Sequence, residues 1–413
     1  MSSLSLLLWI VSGILLQLAI YLGYRFWQHW LDYLALRRTA VPASDEAEAM
    51  APAWQGLRSF QVVQKQVEDA GKSICSFYLA PQDGLPLAPF QGGQFLTFQL
   101  ELPVPGGAPA AIVRCYSLSD APDPGHYRIS VKRVFAPAGS QFATGRSSNF
   151  FHDHVEVGSV LNLRAPAGHF YVDRTDAPVV LIGGGIGITP MMSMLTACLR
   201  ERPGREIWLF YGVRNSSEVA WKSELEILAA RHSSFHLQLC WSDPLPEDVL
   251  GRDFQQRGRI DLELLRRQLP LKPFRFYICG PTAMLQSLVP ALEDWGVPDQ
   301  RIHFEAFGPS SVRRKSAAPV LATVPDEAAS LVVTFSRSGQ QLPWETTAGT
   351  LLELAEAQGI KVDSGCRAGG CGTCLTTILA GEVAYRQTPD FDPEPGTCLL
   401  CVCTPKTSVS LDL

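Results

Sequence analysis

Six of the eleven cysteines in this 413-residue chain crowd toward its carboxyl end: Cys366, Cys371, Cys374, Cys398, Cys401 and Cys403. The other five, Cys75, Cys115, Cys198, Cys240 and Cys279, are scattered. Thiols gathered at one end of a large chain suit metal ligation in a reducing compartment better than a disulfide framework. Thiolates are soft ligands that favour iron. The C-x4-C-x2-C spacing of Cys366, Cys371 and Cys374, with Gly369, Gly370 and Gly372 between them, lets a loop wrap a [2Fe–2S] cluster and aim amides at its sulfurs. Zinc would more usually show two C-x2-C pairs. Spacing alone leaves the fourth ligand open among Cys398, Cys401 and Cys403.

A second kind of chemistry is written in glycine. The apolar run 179–182 leads into Gly183-Gly184-Gly185-Ile186-Gly187-Ile188-Thr189-Pro190. Gly184, Gly185 and Gly187 allow backbone to approach a pyrophosphate closely, and a following helix start offers amide donors and a positive dipole end. Thr189 is the expected N-cap and Pro190 the expected first helical residue. The loop departs from G-x-G-x-x-G, because Ile188 stands where the third glycine belongs. Two further apolar runs end alike: 207–211 in Gly212-Val213-Arg214-Asn215-Ser216, and 276–278 in Cys279-Gly280-Pro281. Ligands of doubly wound sheets bind beyond such carboxyl ends. Arg214 or Ser216 can accept an adenosine 2′-phosphate, or Arg214 is simply a surface cation, so NADH against NADPH stays open. The bland alternatives are a glycine-rich turn without a ligand and a buried structural Cys279.

The third element is Arg114-Cys115-Tyr116-Ser117-Leu118-Ser119. In a strand, Arg114 and Tyr116 share a face and Ser117 takes the other. A guanidinium can bind a phosphate, a phenol ring can pack on a flavin, and a hydroxyl can bond its polar edge. Ile129-Ser130-Val131-Lys132-Arg133, then 145–153 (beginning Gly145-Arg146-Ser147-Ser148-Asn149), then 165–170 follow. This succession resembles the ferredoxin–NADP reductase superfamily, most of all the reductase half of flavohaemoglobins. The resemblance implies FAD, with FMN as the alternative used by related oxygenase reductases. It implies Arg114, Tyr116, Ser117, Leu118, Val131, Lys132, Ser148 and Asn149 as flavin contacts. It makes Gly184, Gly185, Gly187, Thr189, Pro190, Arg214, Gly280 and Pro281 contacts to NAD(P)H, with Cys279 orienting the hydride donor rather than attacking it. Glu305 and Phe307, in the segment 303–309, are implied beside the flavin. The cysteine spacing is similar to that of plant-type ferredoxins, whose last ligand is followed four residues on by proline. Cys401, with Pro405, meets that condition. His152, His154 and His169 read as surface or loop histidines rather than a metal set.

Elements must hold these residues in place. Short apolar runs at 60–67, 73–79, 94–100, 112–119, 127–134 and 160–163, punctuated by Gly and Pro, suggest an antiparallel β-barrel over 54–175. Residues 176–308 read as an α/β nucleotide domain with a parallel sheet, 309–330 as a tether, and 331–413 as an α+β, β-grasp ferredoxin domain with a hairpin and a helix at 350–358. Residues 4–24 carry no charge and, as a helix, span about 30 Å. Tyr24, Phe26, Trp27 and Trp30 form an aromatic belt, and Arg25, Arg37 and Arg38 lie beyond it. The expectation is a single-pass anchor in the cell (inner) membrane rather than a signal peptide, a juxtamembrane linker at 25–53, and catalytic domains in the cytoplasm.

The net charge of −5 argues against a nucleic-acid partner. The whole implies an NAD(P)H-dependent oxidoreductase delivering electrons to an oxygenase or desaturase-type protein. One rival is a respiratory subunit like the flavin subunit of sodium-pumping NADH:quinone reductase, where the ferredoxin domain comes first. Another is a cluster-based redox sensor. A nitric oxide dioxygenase is not expected, since residues 1–53 cannot hold a globin.

Overall fold

The punctuated apolar runs form six antiparallel strands: β1 (Arg58–Val67), β2 (Ile74–Pro81), β3 (Phe95–Leu102), β4 (Ala110–Ser117), β5 (Tyr127–Lys132) and β6 (Val160–Leu163). Their spatial order is β4-β3-β6-β1-β2-β5. The two edges meet just past β4, where Leu118 bridges Ile129 and the Ser119 amide donates to the Arg128 carbonyl at 2.9 Å. The sheet therefore closes on itself, which leaves few strand edges unpaired. Helix α1 (Arg146–His154) drives Phe151 into the core. Its ring lies edge-on to Phe77, Phe98 and Tyr116 at 5.2, 5.7 and 5.0 Å. Burying a ring of that size is worth about 1.5–3 kcal/mol. That packing fixes the turn in front of the helix against β4.

The second sheet is wholly parallel: β7 (Val179–Gly184), β8 (Ile207–Val213), β9 (Phe235–Trp241), β10 (Gln256–Arg257), β11 (Arg275–Gly280) and β12 (Ile302–Ala306), in order β10-β9-β8-β7-β11-β12. Val179, Val180, Leu181 and Ile182 are fully buried, because helices cover both faces. These are α2 (Ile188–Glu201), α3 (Lys222–Arg231), α4 (Leu262–Gln268) and α5 (Thr282–Asp294). Strand order reverses between β7 and β11, so the crevice lies beyond Gly184 and Gly280.

The third set is a mixed sheet, β14-β13-β19-β15-β17, with a separate β16-β18 ladder. It comprises β13 (Val332–Phe335), β14 (Gln340–Pro343), β15 (Leu375–Ala380), β16 (Val383–Tyr385), β17 (Thr397–Leu399), β18 (Cys403–Pro405) and β19 (Val409–Leu411). Helix α6 (Leu351–Ala357) starts at a capping box in which Thr350 and Glu353 satisfy each other's amides.

The structure, a computed structural model, describes residues 54, 56–103, 109–123, 125–136, 144–307, 331–345, 349–362, 364–365, 367, 369, 372–386, 389 and 393–413, together with 9, 13, 16, 17, 21, 23 and 27. The chain divides into two units, Met1–Ala51 and Pro52–Leu413, and all the chemistry-bearing residues belong to the second. The expected anchor at 4–24 lies mostly outside the described residues, and its six described members are helical. Among the described residues no helix is long and apolar enough to cross a membrane. The expected tether 309–330 also lies outside them.

Candidate functional site

On the barrel, the arrangement of β4 follows from strand alternation. Tyr116 turns toward Phe98 and Phe151, and its hydroxyl donates to Ser147 Oγ at 3.2 Å. Arg114 is exposed, its Nη1 donating to the neighbouring Val113 carbonyl at 2.7 Å. Ser117 is the informative residue. Its hydroxyl is buried and has no hydrogen-bond partner among the described residues. A buried polar atom without a partner costs roughly 1–3 kcal/mol. Its burial here fits a ligand whose polar edge completes the bond, as a flavin would. Leu118 and Val131 are core residues, 1% exposed each.

Ser148 and Asn149 lie in the first turn of α1 and bind the turn itself. Ser148 Oγ accepts from the Val134 amide and donates to the Gly145 carbonyl, both at 3.2 Å. Asn149 Nδ2 donates to the Val134 and Gly145 carbonyls at 3.1 and 2.8 Å. A Cβ on Gly145 would stand 2.5 Å from Ser148 Oγ and 2.8 Å from Val134 Cβ, so the close packing of this turn favours glycine. Both side chains thus shape the backbone that faces a ligand. His152, expected at the surface, is buried: its Nε2 sits 2.9 Å from the Val131 carbonyl, and burial lowers its pKa.

The glycine loop is more closely packed than its sequence suggests. A Cβ on Gly187 would lie 2.1 Å from the Cys279 carbonyl, and one on Gly184 2.8 Å from the Pro281 ring. One on Gly280 would meet Met284 Cε at 2.4 Å and Gly184 Cα at 3.0 Å. These three let the ends of β7 and β11 touch. Gly185 differs: its φ is +54°, and nothing stands within 4 Å of where a Cβ would be. It is the glycine that faces open space.

The expected helix start needs correction. Gly185–Gly187 forms a 3-10 turn, Gly187 occupies the cap position, and α2 begins at Ile188. Thr189 is therefore inside the first turn, its Oγ1 donating to the Ile186 carbonyl at 3.0 Å. Pro190 is the third helical residue, where a missing N–H still costs nothing.

Cys279 is the penultimate residue of β11, in register with Gly183 and Glu305. It is fully buried, and burial together with nearby Glu305 pushes the thiol well above its ordinary pKa. A protonated buried thiol is a poor nucleophile. Phe307, at the end of the same edge, is 46% exposed. Arg214 follows β8, but its guanidinium is already engaged by Glu218. Glu218 also accepts from Lys132 of β5 at 3.4 Å, a link between barrel and parallel sheet that neither local sequence reveals.

In the third region, Cys366 and Cys371 lie outside the described residues. Cys374 and Cys401 are buried at 3% and 7% exposure. Cys401 occupies the turn joining β17 to β18, and the adjacent Leu400 amide donates to the Cys374 carbonyl at 3.2 Å. Gly369, with φ +76°, packs against Val402. Cys398 and Cys403 lie within strands, and their thiols hydrogen-bond each other, which with burial raises the Cys403 pKa. Among the described residues, Cys374 and Cys401 are two buried thiols near left-handed glycines, which fits half of the four-thiolate set that a [2Fe–2S] cluster needs.

Three family models match the chain in sequence: an oxidoreductase FAD-binding domain over residues 60–171, an oxidoreductase NAD-binding domain over 181–289, and a 2Fe-2S iron-sulfur cluster binding domain over 333–406. The chain belongs to the ferredoxin–NADP reductase superfamily. Its matched domains are those that bind FAD, a nicotinamide dinucleotide and a [2Fe–2S] cluster.

A flavohemoprotein of Halalkalibacterium halodurans is 37% identical over 273 residues, 66% of this chain and 65% of that protein. One from Rhizobium meliloti is 38% identical over 266 residues, 64% of each. The superfamily member described here thus spans less than two thirds of the length of these relatives. Among solved structures, the FAD/NAD-binding domain of nitric oxide dioxygenase from Vibrio cholerae O1 biovar El Tor gives a TM-score of 0.53 at 34% identity, covering 61% of this chain and 99% of that one. Phthalate dioxygenase reductase, described as modular for electron transfer from pyridine nucleotides to [2Fe-2S], gives 0.50 at 26% identity and covers 87% of this chain and 98% of that one.

Proposed function

We propose that this reductase is a membrane-anchored component that carries electrons from NAD(P)H through FAD and its cluster to a separate oxygenase or desaturase-type metalloenzyme. The observation that carries the reading is the match to phthalate dioxygenase reductase across both the flavin–nucleotide module and the cluster domain. The uncharged span 4–24 supports the anchor, and the arginines that follow it support cytoplasmic catalytic domains at the inner membrane.

Converting a two-electron donor into single-electron steps is the chemistry that FAD and the cluster supply when bound. The chain's residues do the placing. Ser117 Oγ offers a hydrogen bond to the flavin edge, Tyr116 packs beside it, and Arg114 is free to meet phosphate. The first turn of α1, shaped by Ser148 and Asn149, presents amides to the same group, and Lys132 adds a cation at the end of β5. Gly185 opens the crevice to the pyrophosphate of the nucleotide, and the start of α2 supplies further donors. Cys279 stays protonated and positions the donor, with Glu305 and Phe307 along the neighbouring edge. Cys366, Cys371, Cys374 and Cys401 are the proposed cluster ligands.

The test is anaerobic titration of purified full-length protein with NADH and NADPH, alongside iron and sulfide analysis. Bleaching of both flavin and cluster bands is expected. Absence of iron and sulfide, or direct quinone reduction without a protein partner, overturns the reading. Carbonate-resistant retention in membranes, lost when residues 1–53 are removed, checks the anchor.

A further inference from the structure

The end of β8 carries more charge than the nucleotide site needs. Arg214 is 71% exposed in its side chain, yet both its Nε, at 2.6 Å, and its Nη2 donate to Glu218 Oε1. Glu218 is only 12% exposed, and its other oxygen lies 3.4 Å from Lys132 Nζ, so the carboxylate is fixed from two domains. Burial alone would raise the Glu218 pKa, but these two cations outweigh it and keep the group ionised. Two more carboxylates stand nearby. Exposed Asp243 donates its amide to the Arg214 carbonyl at 2.8 Å and acts on the guanidinium electrostatically. Asp248 Oδ2 accepts from the Leu245 amide at 2.8 Å and from the Ser216 amide at 3.4 Å. At the end of β8, therefore, three carboxylates meet two cations, Arg214 and Lys132, and both cations are already paired with Glu218.

A 2′-phosphate brings nearly two negative charges and needs an unpaired guanidinium or ammonium. A ribose 2′-hydroxyl brings none and is served by an acceptor. From this arrangement we infer that Glu218 is a specificity-determining residue, which holds Arg214 away from a 2′-phosphate and makes the enzyme an NADH reductase. The inference rests on the nucleotide-site reading above. It assigns Glu218 no contact with the reacting atoms, only control of its neighbour's charge.

The holoenzyme tests it. We compare kcat/KM for NADH and NADPH with ferricyanide as acceptor, and measure calorimetric binding of 2′,5′-ADP against 5′-ADP. The wild type is expected to favour NADH by at least about tenfold. Glu218→Gln is expected to narrow that ratio about tenfold through the KM for NADPH, with kcat unmoved, and to tighten 2′,5′-ADP but not 5′-ADP. Adding Arg214→Ala to Glu218→Gln should erase the gain. Asp243→Asn, at an exposed position, should shift the ratio the same way by less. A wild type that prefers NADPH, or a Glu218→Gln ratio equal to wild type, overturns the inference. If neither nucleotide bleaches the flavin, the functional reading fails instead. The 2′,5′-ADP comparison still decides the role of Glu218.

Discussion

Ser117 shows how a single hydroxyl can report a missing neighbour. Its Oγ is buried without a partner among the described residues, so the apoprotein carries a desolvation cost that a bound flavin would remove. Ser117→Ala is therefore expected to leave apoprotein stability equal or higher while weakening FAD about tenfold, or roughly 1.4 kcal/mol. Fluorescence titration of the apoprotein with FAD, beside thermal melts, separates the two effects. The cysteines allow an equally sharp contrast. Cys401→Ser should abolish the cluster absorbance, whereas Cys398→Ser and Cys403→Ser should retain it, because those two thiols are tied to each other inside strands. Bleaching on Cys398→Ser alone would mean that the fourth ligand is misassigned. The spacing of the first three thiols is legible in sequence because it is local. The choice of the fourth is not, since it depends on which thiol occupies the turn. Cys279 adds a pH statement: a thiol held far above its ordinary pKa has no ionisation to contribute between pH 6 and 9. Flavin reduction should show no thiol titration in that interval.

At the level of elements, the glycine loop divides into two roles that its sequence merges. Run length and apolar character identify β7, and the resemblance marks the loop as a nucleotide site. Neither distinguishes glycines that let β7 and β11 touch from the one facing open space. Gly187→Ala would set a methyl 2.1 Å from a backbone carbonyl, an overpacking expected to cost about 3 kcal/mol and to lower the melting temperature. Gly185→Ala, at φ +54° with open surroundings, should cost only about 1 kcal/mol in stability. Its larger effect should be a higher KM for the nucleotide. Equal losses of stability in the two variants would contradict this division. The misplaced start of α2 has a related cause. Thr-Pro reads as a cap followed by a first helical residue, but a 3-10 turn from Gly185 to Gly187 begins the winding earlier. Such a turn depends on the close approach of β11, which lies about ninety residues away in the sequence.

On the scale of the molecule, barrel and parallel sheet are joined by charges that no local pattern could disclose. Asp173, at the junction, accepts from Arg205 Nη2 at 3.2 Å and from the Tyr277 hydroxyl at 3.1 Å, and pairs with Arg275 Nη1 at 3.0 Å. The Arg205 side chain is wholly buried, and its remaining donors reach the Asp173 and Ala177 carbonyls at 2.8 Å. Burial alone would raise the Asp173 pKa, but hydrogen bonds from Thr175 and the two guanidinium groups outweigh it and hold the carboxyl below the ordinary aspartate value. The unfolded chain then binds a proton more readily than the folded one as pH falls through that range, so stability rises with pH there. The contribution is complete above about pH 4 and lost as the pH drops through the depressed folded value. Asp173→Asn removes it at every pH and strands the Arg205 charge, at a cost of about 3 kcal/mol at neutrality. Urea unfolding of wild type and variant at pH 7 and pH 3 checks this: the gap should be wider at pH 7 than at pH 3. A gap of equal width at both values would show that Asp173 acts through packing or neutral hydrogen bonds, and that the charge network does not hold the junction together.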